Sequence, residues 1–235
     1  ITGIVFKPDW GSFLSFQRQS NRQQALSIWD LGWPGGRRYL ADPPDRGVDL
    51  VIFDAKGERL AYADYQGTND KTGFATTRVT IRSGKGYRES VTLETPGGTV
   101  ALMDFSGDRL VASGRGLYIW DLDTAKIIFR DDNWAPHTDS NILMASPDGK
   151  QFIVFSQFSE SKSIEIRNGE DGSLVKKISG YNPIALSRDW RWFATTATNK
   201  SNYDLTDIQI HNMENGEIEF TLRGHTDQIS DVDFS

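Results

Sequence analysis

A turn followed by a short alternating strand recurs five times along this chain: PDWGSFLSF at 8–16, AKGERLAYA at 55–63, SGDRLVAS at 106–113, SPDGKQFIVF at 146–155 and SRDWRWFATT at 187–196. With the turn placed at Gly11, Gly57, Gly107, Gly149 and Trp190, the steps are 46, 50, 42 and 41 residues. Self-similarity at such a period constrains the fold more than any local feature, because each repeat is one supersecondary unit that can bury its apolar faces only against its neighbours. The Pro-Asp-Gly and Gly-rich pieces carry hairpin chemistry: glycine accepts a positive φ without strain, and aspartate caps the turn with its side chain.

The rest of each unit forms around that turn. Before it lies a short apolar run: ITGIVF at 1–6, VDLVIF at 48–53, TVALMDF at 99–105, NILMA at 141–145 and PIALS at 183–187. After it comes a run that ends in a polar pair: LSIWD at 26–30, VTIRS at 79–83, LYIWD at 117–121, IEIRN at 164–168 and IQIHN at 208–212. These alternate with period two, the mark of a half-buried strand. A fourth run follows, such as KIIFRD at 126–131, LVKKIS at 174–179 and IEFTLRG at 218–224. Each unit therefore reads strand a, turn, strand b, loop, strand c, turn, strand d. The composition agrees, since 13 Phe, 7 Trp and 7 Tyr among 22 Gly and 8 Pro suit many short strands joined by turns. The expectation is an all-β fold.

LYIWDLDTAK at 117–126 and LSIWDL at 26–31 resemble the Trp-Asp strand end of WD40 β-propellers, and LRGHTDQISDVDFS at 222–235 resembles their Gly-His entry into a new blade. The resemblance covers the whole chain at the level of period, with the Trp-Asp pair in two units and Gly-His in one. It implies a β-propeller of four-stranded antiparallel blades, with structural repeat roles for Trp29, Asp30, Trp120, Asp121, Gly224 and His225. Although His225 precedes Asp227, Asp231 and Asp233, the resemblance implies a hydrogen bond within the blade rather than catalysis. Arg82-Ser83, Arg167-Asn168 and His211-Asn212 depart from the pattern. The family's His, Ser, Trp and Asp network is thus expected to be missing from those blades, with packing holding them and His211 partly exposed.

A four-stranded blade cannot bury both faces alone, so blades pack radially into a ring that must close. The units run from about 1–47, 48–98, 99–140, 141–182 and 183–228, and ISDVDFS at 229–235 aligns with strand a of a next unit. The expectation is five blades plus the first strand of a sixth, belonging to a larger ring of six or seven blades in a longer chain. The alternative is a complete small propeller in which 229–235 pairs at the seam.

The b-to-c and d-to-a loops emerge at one end of such blades, and their uneven lengths mark that end as the expected partner surface, since a rigid scaffold concentrates binding residues in its loops. DYQGTNDKTGFATTR at 64–78 is read as a long loop of this kind, and QRQSNRQQA at 17–25, QFSESKS at 157–163 and TNKSNYDLTD at 198–207 as others. They supply the candidate binding residues Tyr65, Phe74, Phe158, Tyr203, Arg18 and Arg22, because aromatic and Arg side chains dominate binding hot spots. The d-to-a stretch RDDNWAPHTDS at 130–140 adds Trp134 and His137. For Trp134 the alternative is a side chain folded back over the blade, as tryptophan is usually largely buried.

Catalytic signals are sparse. There is no Gly-x-Ser-x-Gly, no phosphate loop and no His-Glu-x-x-His. Three histidines, at 137, 211 and 225, form no local metal set, and no catalytic residue, metal or cofactor is expected. DLDT at 121–124 and NGEDGS at 168–173 lack calcium-loop spacing and read as turns. Arg37-Arg38 and Lys176-Lys177 read as solvated strand edges. Zero cysteines exclude disulfides and thiolate chemistry. A net charge of -6 argues against general nucleic-acid binding, and no apolar run reaches the ~18 residues that span a bilayer. The functional expectation is a non-catalytic, cytoplasmic scaffold or sensor module whose partner is a protein or another domain of the same chain. The alternative is a propeller that gates or hosts the site of a multidomain hydrolase, since SPDGKQFIVFS also resembles repeats of propellers attached to peptidases and periplasmic transport proteins.

Overall fold

The structure is a computed structural model that describes residues 3–9, 11–16, 26–32, 37–39, 48–68, 75–93, 95, 99–132, 134, 142–146, 148–156, 163–179, 183–197, 206–227, 229 and 232–234. Two compact units share the chain, Ile1–Trp134 and Ala135–Ser235. In both, the alternating runs pair into four-stranded antiparallel sheets whose spatial order follows the chain.

The first unit holds three blades. Blade 1 comprises β1 (Gly3–Phe6), β2 (Ser12–Phe16), β3 (Leu26–Asp30) and β4 (Arg37–Tyr39), and blade 2 comprises β5 (Val48–Phe53), β6 (Leu60–Thr68), β7 (Ala75–Ser83) and β8 (Glu89–Leu93). Blade 3 comprises β9 (Val100–Ser106), β10 (Arg109–Gly114), β11 (Leu117–Asp121) and β12 (Lys126–Asp131). Leu14 and Leu26 of blade 1 pack on Val48, Val51, Leu60 and Tyr62 of blade 2. The opposite face of blade 2, with Ala61, Ala63, Val79, Ile81 and Leu93, packs on Leu110, Ala112, Tyr118 and Trp120 of blade 3. Period-two alternation thus lets one sheet serve two cores at once.

The second unit holds two blades. Blade 4 comprises β13 (Leu143–Ala145), β14 (Gln151–Ser156), β15 (Ser163–Asn168) and β16 (Leu174–Ser179), and blade 5 comprises β17 (Pro183–Leu186), β18 (Trp192–Ala197), β19 (Asp207–Asn212) and β20 (Ile218–Leu222). Ile153, Phe155, Ile164 and Ile166 of blade 4 meet Leu186, Phe193 and Met213 of blade 5. The other face of blade 5, with Ala185, Ala194, Ile208 and Ile210, is partly covered by Ile229, Val232 and Phe234.

Among the described residues of 229–235, at 229 and 232–234, no strand is assigned, and the expected strand a of a next unit otherwise falls outside the described residues. A difference from the expectation concerns 64–78. Strand pairing continues from Asp64↔Arg78 out to Thr68↔Ala75, so much of the expected loop is hairpin, with a register shift between Tyr65 and Gly67.

The turns between strands a and b form as their residues dictate. Gly57, Gly107, Gly149 and Trp190 all have positive φ, between 58° and 68°. Lys150 N–H donates to Asp148 Oδ1 and Arg191 N–H to Asp189 Oδ1, and Gly11 N–H makes the same bond to Asp9 Oδ1. Gly11 therefore stands one position after the slot of Gly149 and Trp190, which moves the first turn one residue earlier than the sequence spacing had it.

Candidate functional site

The slot that ends strand c shows how far each blade keeps the repeat. In blade 1, Trp29 stacks on Phe13 at 5.9 Å and its indole N–H donates to Ser15 Oγ at 2.8 Å. The register of blade 5 puts His211 in the same slot opposite Phe193, stacked at 4.7 Å. Its Nδ1 faces the Gly216 carbonyl at 3.1 Å and so carries the hydrogen, while Nε2 meets the Thr195 hydroxyl at 2.9 Å. His211 is only 2% exposed, which corrects the expectation of partial exposure: the ring replaces an indole in a core position.

The arginines in this slot are bonded too. Arg167 binds the Glu165 carboxylate at 2.8 Å and donates to the Gly172 carbonyl at 2.9 Å, and Lys177 adds a second cation at 3.4 Å. Arg82 is buried with its guanidinium over the Tyr62 ring at 5.9 Å. Only Trp120, fully buried in blade 3, has an alanine, Ala112, diagonally across. Packing alone therefore does not hold the divergent blades 4 and 5, which supply polar partners to Arg167 and His211, while in blade 2 the contact of Arg82 is an aromatic ring. Lys176 is likewise no free edge residue; its ammonium caps the Met213 and Glu214 carbonyls of blade 5.

Asp30 and Asp121 are turn caps. Asp30 accepts from Gly32 N–H at 3.0 Å, and Asp121 accepts from both the amide and the hydroxyl of Thr124 at 2.8 Å. Those bonds, with Arg109 at 2.6 Å, hold the Asp121 carboxyl below its ordinary range. Gly224 and His225 are exposed, and His225 makes no hydrogen bond among the described residues, so the blade bond implied for it is not formed there.

Of the binding candidates, Phe74, His137, Phe158, Tyr203, Arg18 and Arg22 lie outside the described residues. Tyr65 is partly exposed on β6, its hydroxyl 3.2 Å from Thr68 Oγ1. Trp134 is 8% exposed. It is folded in rather than presented as an anchor.

A concave surface among the described residues lies at the other end of the blades, among the a-to-b and c-to-d turns of blades 1 and 2. A cleft of about 1400 Å³ is lined there by Lys7, Asp9 and Ser12, by Ile28 and Asp30, by Gly57 to Arg59, and by Ser83 to Glu89. Tyr87 is one of its half-buried lining residues. The phenol packs on Phe53 at 5.9 Å and donates to the Gly57 carbonyl at 2.5 Å. Burial, with the Asp54 and Asp9 charges adding to it, pushes the phenol up to about 12, so it remains a donor at neutral pH. Gly57, at φ 67°, is covered by the Lys7 stem, and a Cβ there would meet Lys7 Cε at 2.5 Å. Lys7 in turn pairs with Asp9 at 2.9 Å.

This c-to-d turn departs from its counterparts. In the other four blades Asp30, Asp121, Asn168 and Asn212 accept an amide within the turn, and a second amide crosses to the a-to-b turn: Leu31 to Gly11, Leu122 to Asp108, Gly169 to Lys150 and Met213 to Arg191. Blade 2 makes neither bond among the described residues; Ser83 is bonded to Glu89, and Gly84, Gly86 and Tyr87 all have positive φ, at 72°, 72° and 55°. A tyrosine in that conformation costs roughly 1–2 kcal/mol. The Gly57 bond and the Phe53 contact hold it there. The signal was present in SGKGYRES at 83–90, where Ser83 replaces the Asp or Asn cap, but it carries no recognisable motif.

No protein-family model matches the sequence, and neither does any curated protein. Among solved structures, the WD40 β-propeller domain of Doa1 is similar, with a TM-score of 0.56 and 14% identity over 96% of this chain and 69% of that one. At that identity the likeness concerns the fold alone. With five four-stranded meanders in sequence order, it makes the fold that of a WD40 β-propeller.

Proposed function

We propose that the chain is a non-catalytic interaction scaffold or sensor module that presents a blade surface to a protein partner. The cleft between the turns of blades 1 and 2 carries this reading. Its volume, about 1400 Å³, exceeds the ~300–1000 Å³ of ordinary small-molecule pockets. It is also walled by turns anchored in two packed sheets, which lowers the ordering cost of binding. The b-to-c loops expected to bind lie largely outside the described residues, and this reading rests on the turn end alone.

Site-specific photocrosslinking tests the reading. A benzophenone amino acid replaces Lys85 in the cleft wall or, as a control, Glu170, exposed on the corresponding turn of blade 4. Protein adducts formed from position 85 and not from 170 are the expected result. Equal adducts from both, or none from 85, refute it.

A further inference from the structure

We propose that Asn215 and Gly216 form a self-modification site, where slow deamidation of Asn215 releases His211 from its anchor in blade 5. The chain has two Asn-Gly steps, Asn168–Gly169 and Asn215–Gly216. A glycine, with no Cβ, leaves its backbone nitrogen open to the preceding carboxamide, and asparagine is thermolabile. In the reaction the Gly216 nitrogen attacks Asn215 Cγ. An N–Cγ bond forms, the Cγ–Nδ2 bond breaks, and Nδ2 leaves as ammonia with the hydrogen of the Gly216 amide. Water then opens the cyclic imide at either carbonyl, giving aspartate or isoaspartate, and no other reactant is needed.

Geometry separates the two steps. Asn215 is exposed in the c-to-d turn of blade 5. Its Oδ1 accepts from Glu217 N–H at 2.9 Å, which folds the carboxamide back along its own backbone and places a donor where charge develops during the attack. Gly216 N–H is bonded to the Asn212 carbonyl at 2.8 Å, inside the same turn, so a local opening frees the nucleophile. Asn168 has a similar bond to Glu170 N–H, at 2.7 Å, but it is half-buried at the end of β15. There Asn168 N–H donates to the Ser173 carbonyl, and Gly169 N–H to the Lys150 carbonyl of the a-to-b turn. Freeing that nitrogen means parting two turns. The counterpart of Asn215 in blade 4 is Asp171. Bonds from the Ser173 hydroxyl and amide hold its carboxyl below the ordinary range, and an ionised carboxylate is a poor target for a nucleophile.

The consequence comes from what Gly216 carries. Its carbonyl meets Nδ1 of the buried His211 at 3.1 Å. Isoaspartate routes the main chain through the former side chain, adding a methylene just before Gly216 and displacing that carbonyl. Aspartate leaves the main chain as it was.

Ageing the full chain at neutral pH, folded or in urea, tests this. Mass spectrometry of the two Asn-Gly peptides reads amide-to-acid conversion, and electron-transfer fragmentation identifies isoaspartate. In urea both steps should convert alike; in the folded chain conversion at 215 should run ahead of that at 168. Chains carrying isoaspartate at 215 should melt about 2–4 °C lower, the shift expected for one lost hydrogen bond. Asn215→Gln, at an exposed position, should keep its midpoint on ageing. Fresh Asn215→Asp, which puts a carboxylate beside Glu217 without altering the main chain, should lose less than the aged chain. Conversion at 215 no faster than at 168 in the folded chain, isoaspartate without a lower midpoint, or an equal loss in Asn215→Asp overturns the proposal.

Discussion

Arg59 ties the turns of blades 2 and 3 together, and its removal should be costly out of proportion to its exposure. Its Nε binds Asp54 Oδ2 at 3.0 Å, Nη1 binds Asp108 Oδ1 at 3.2 Å, and Nη2 donates to the Gly107 carbonyl at 2.7 Å. The guanidinium also lies over Phe105 at 5.3 Å. The two carboxylates differ sharply: the Asp54 side chain is 6% exposed and that of Asp108 is 74%. Breaking a fully buried pair from one side costs about 3–5 kcal/mol. Here the Glu58 and Arg59 amides still serve Asp54, at 2.8 and 3.1 Å, so Arg59→Ala should cost less, about 2–3 kcal/mol. Asp108→Ala should cost only about 0–1 kcal/mol, and the double variant should be no worse than Arg59→Ala to within about 0.5 kcal/mol. Urea titration at constant m-value measures all three. The reasoning fails if Arg59→Ala costs under about 1 kcal/mol, or if Asp108→Ala is as damaging, since the buried end of the pair would then not be the dominant one.

Other outcomes follow from the same packing. Tyr87 has a raised folded pKa, so its contribution to stability is complete below 10.0 and lost as pH climbs towards about 12; Tyr87→Phe should lower the neutral-pH stability by about 0.5–1.5 kcal/mol and flatten that alkaline decline in a melting profile. Trp120→Ala and Trp134→Ala should both cost about 3–5 kcal/mol in denaturant titrations, as both side chains are buried. A near-neutral Trp134→Ala would return that residue to the surface. Thr195→Val deletes the hydroxyl that meets His211 Nε2 and should cost about 1–2 kcal/mol in the same assay.

The strands were legible because their signal is local. Alternation, an Asp-capped turn and a period of about forty residues place β2, β10, β14 and β18 before any tertiary contact is considered. Trp190 fell in the same series as the glycines despite its side chain, and it does adopt their left-handed conformation, at φ 61°. What stayed hidden depends on contacts between distant residues. The burial of His211 rests on Phe193, Thr195 and the Gly216 carbonyl, and the pairing of 64–68 with 75–78 rests on partners such as Asp64 with Arg78, at 2.9 Å. The cleft was missed for a similar reason: attention to loop length favours the b-to-c end, whereas Ser83 to Glu89 differs from its counterparts in conformation and not in length.

The five private partnerships at the end of strand c, Trp29 with Ser15, Arg82 with Tyr62, Trp120 beside Ala112, Arg167 with Glu165 and His211 with Thr195, bear on how the chain finds its register. A polypeptide made of near-identical repeats invites exchange, with a strand of one repeat pairing into the sheet of another, and misassembly of this kind is a characteristic failure of repeat proteins. Here a strand c exchanged out of blade 1 or blade 5 would leave its strand-b companion, Ser15 or Thr195, behind, whereas Arg167 would carry Glu165 with it on the same strand. His211 placed against Val154 would leave its Nε2 in a sheet interior without the hydroxyl that it meets at Thr195, a penalty of about 1–3 kcal/mol. Drift away from the consensus Trp-Asp ending thus makes an exchange such as strand c of blade 5 into blade 4 costly, and the same variety that obscures the repeat to the eye raises the penalty for such a mispairing.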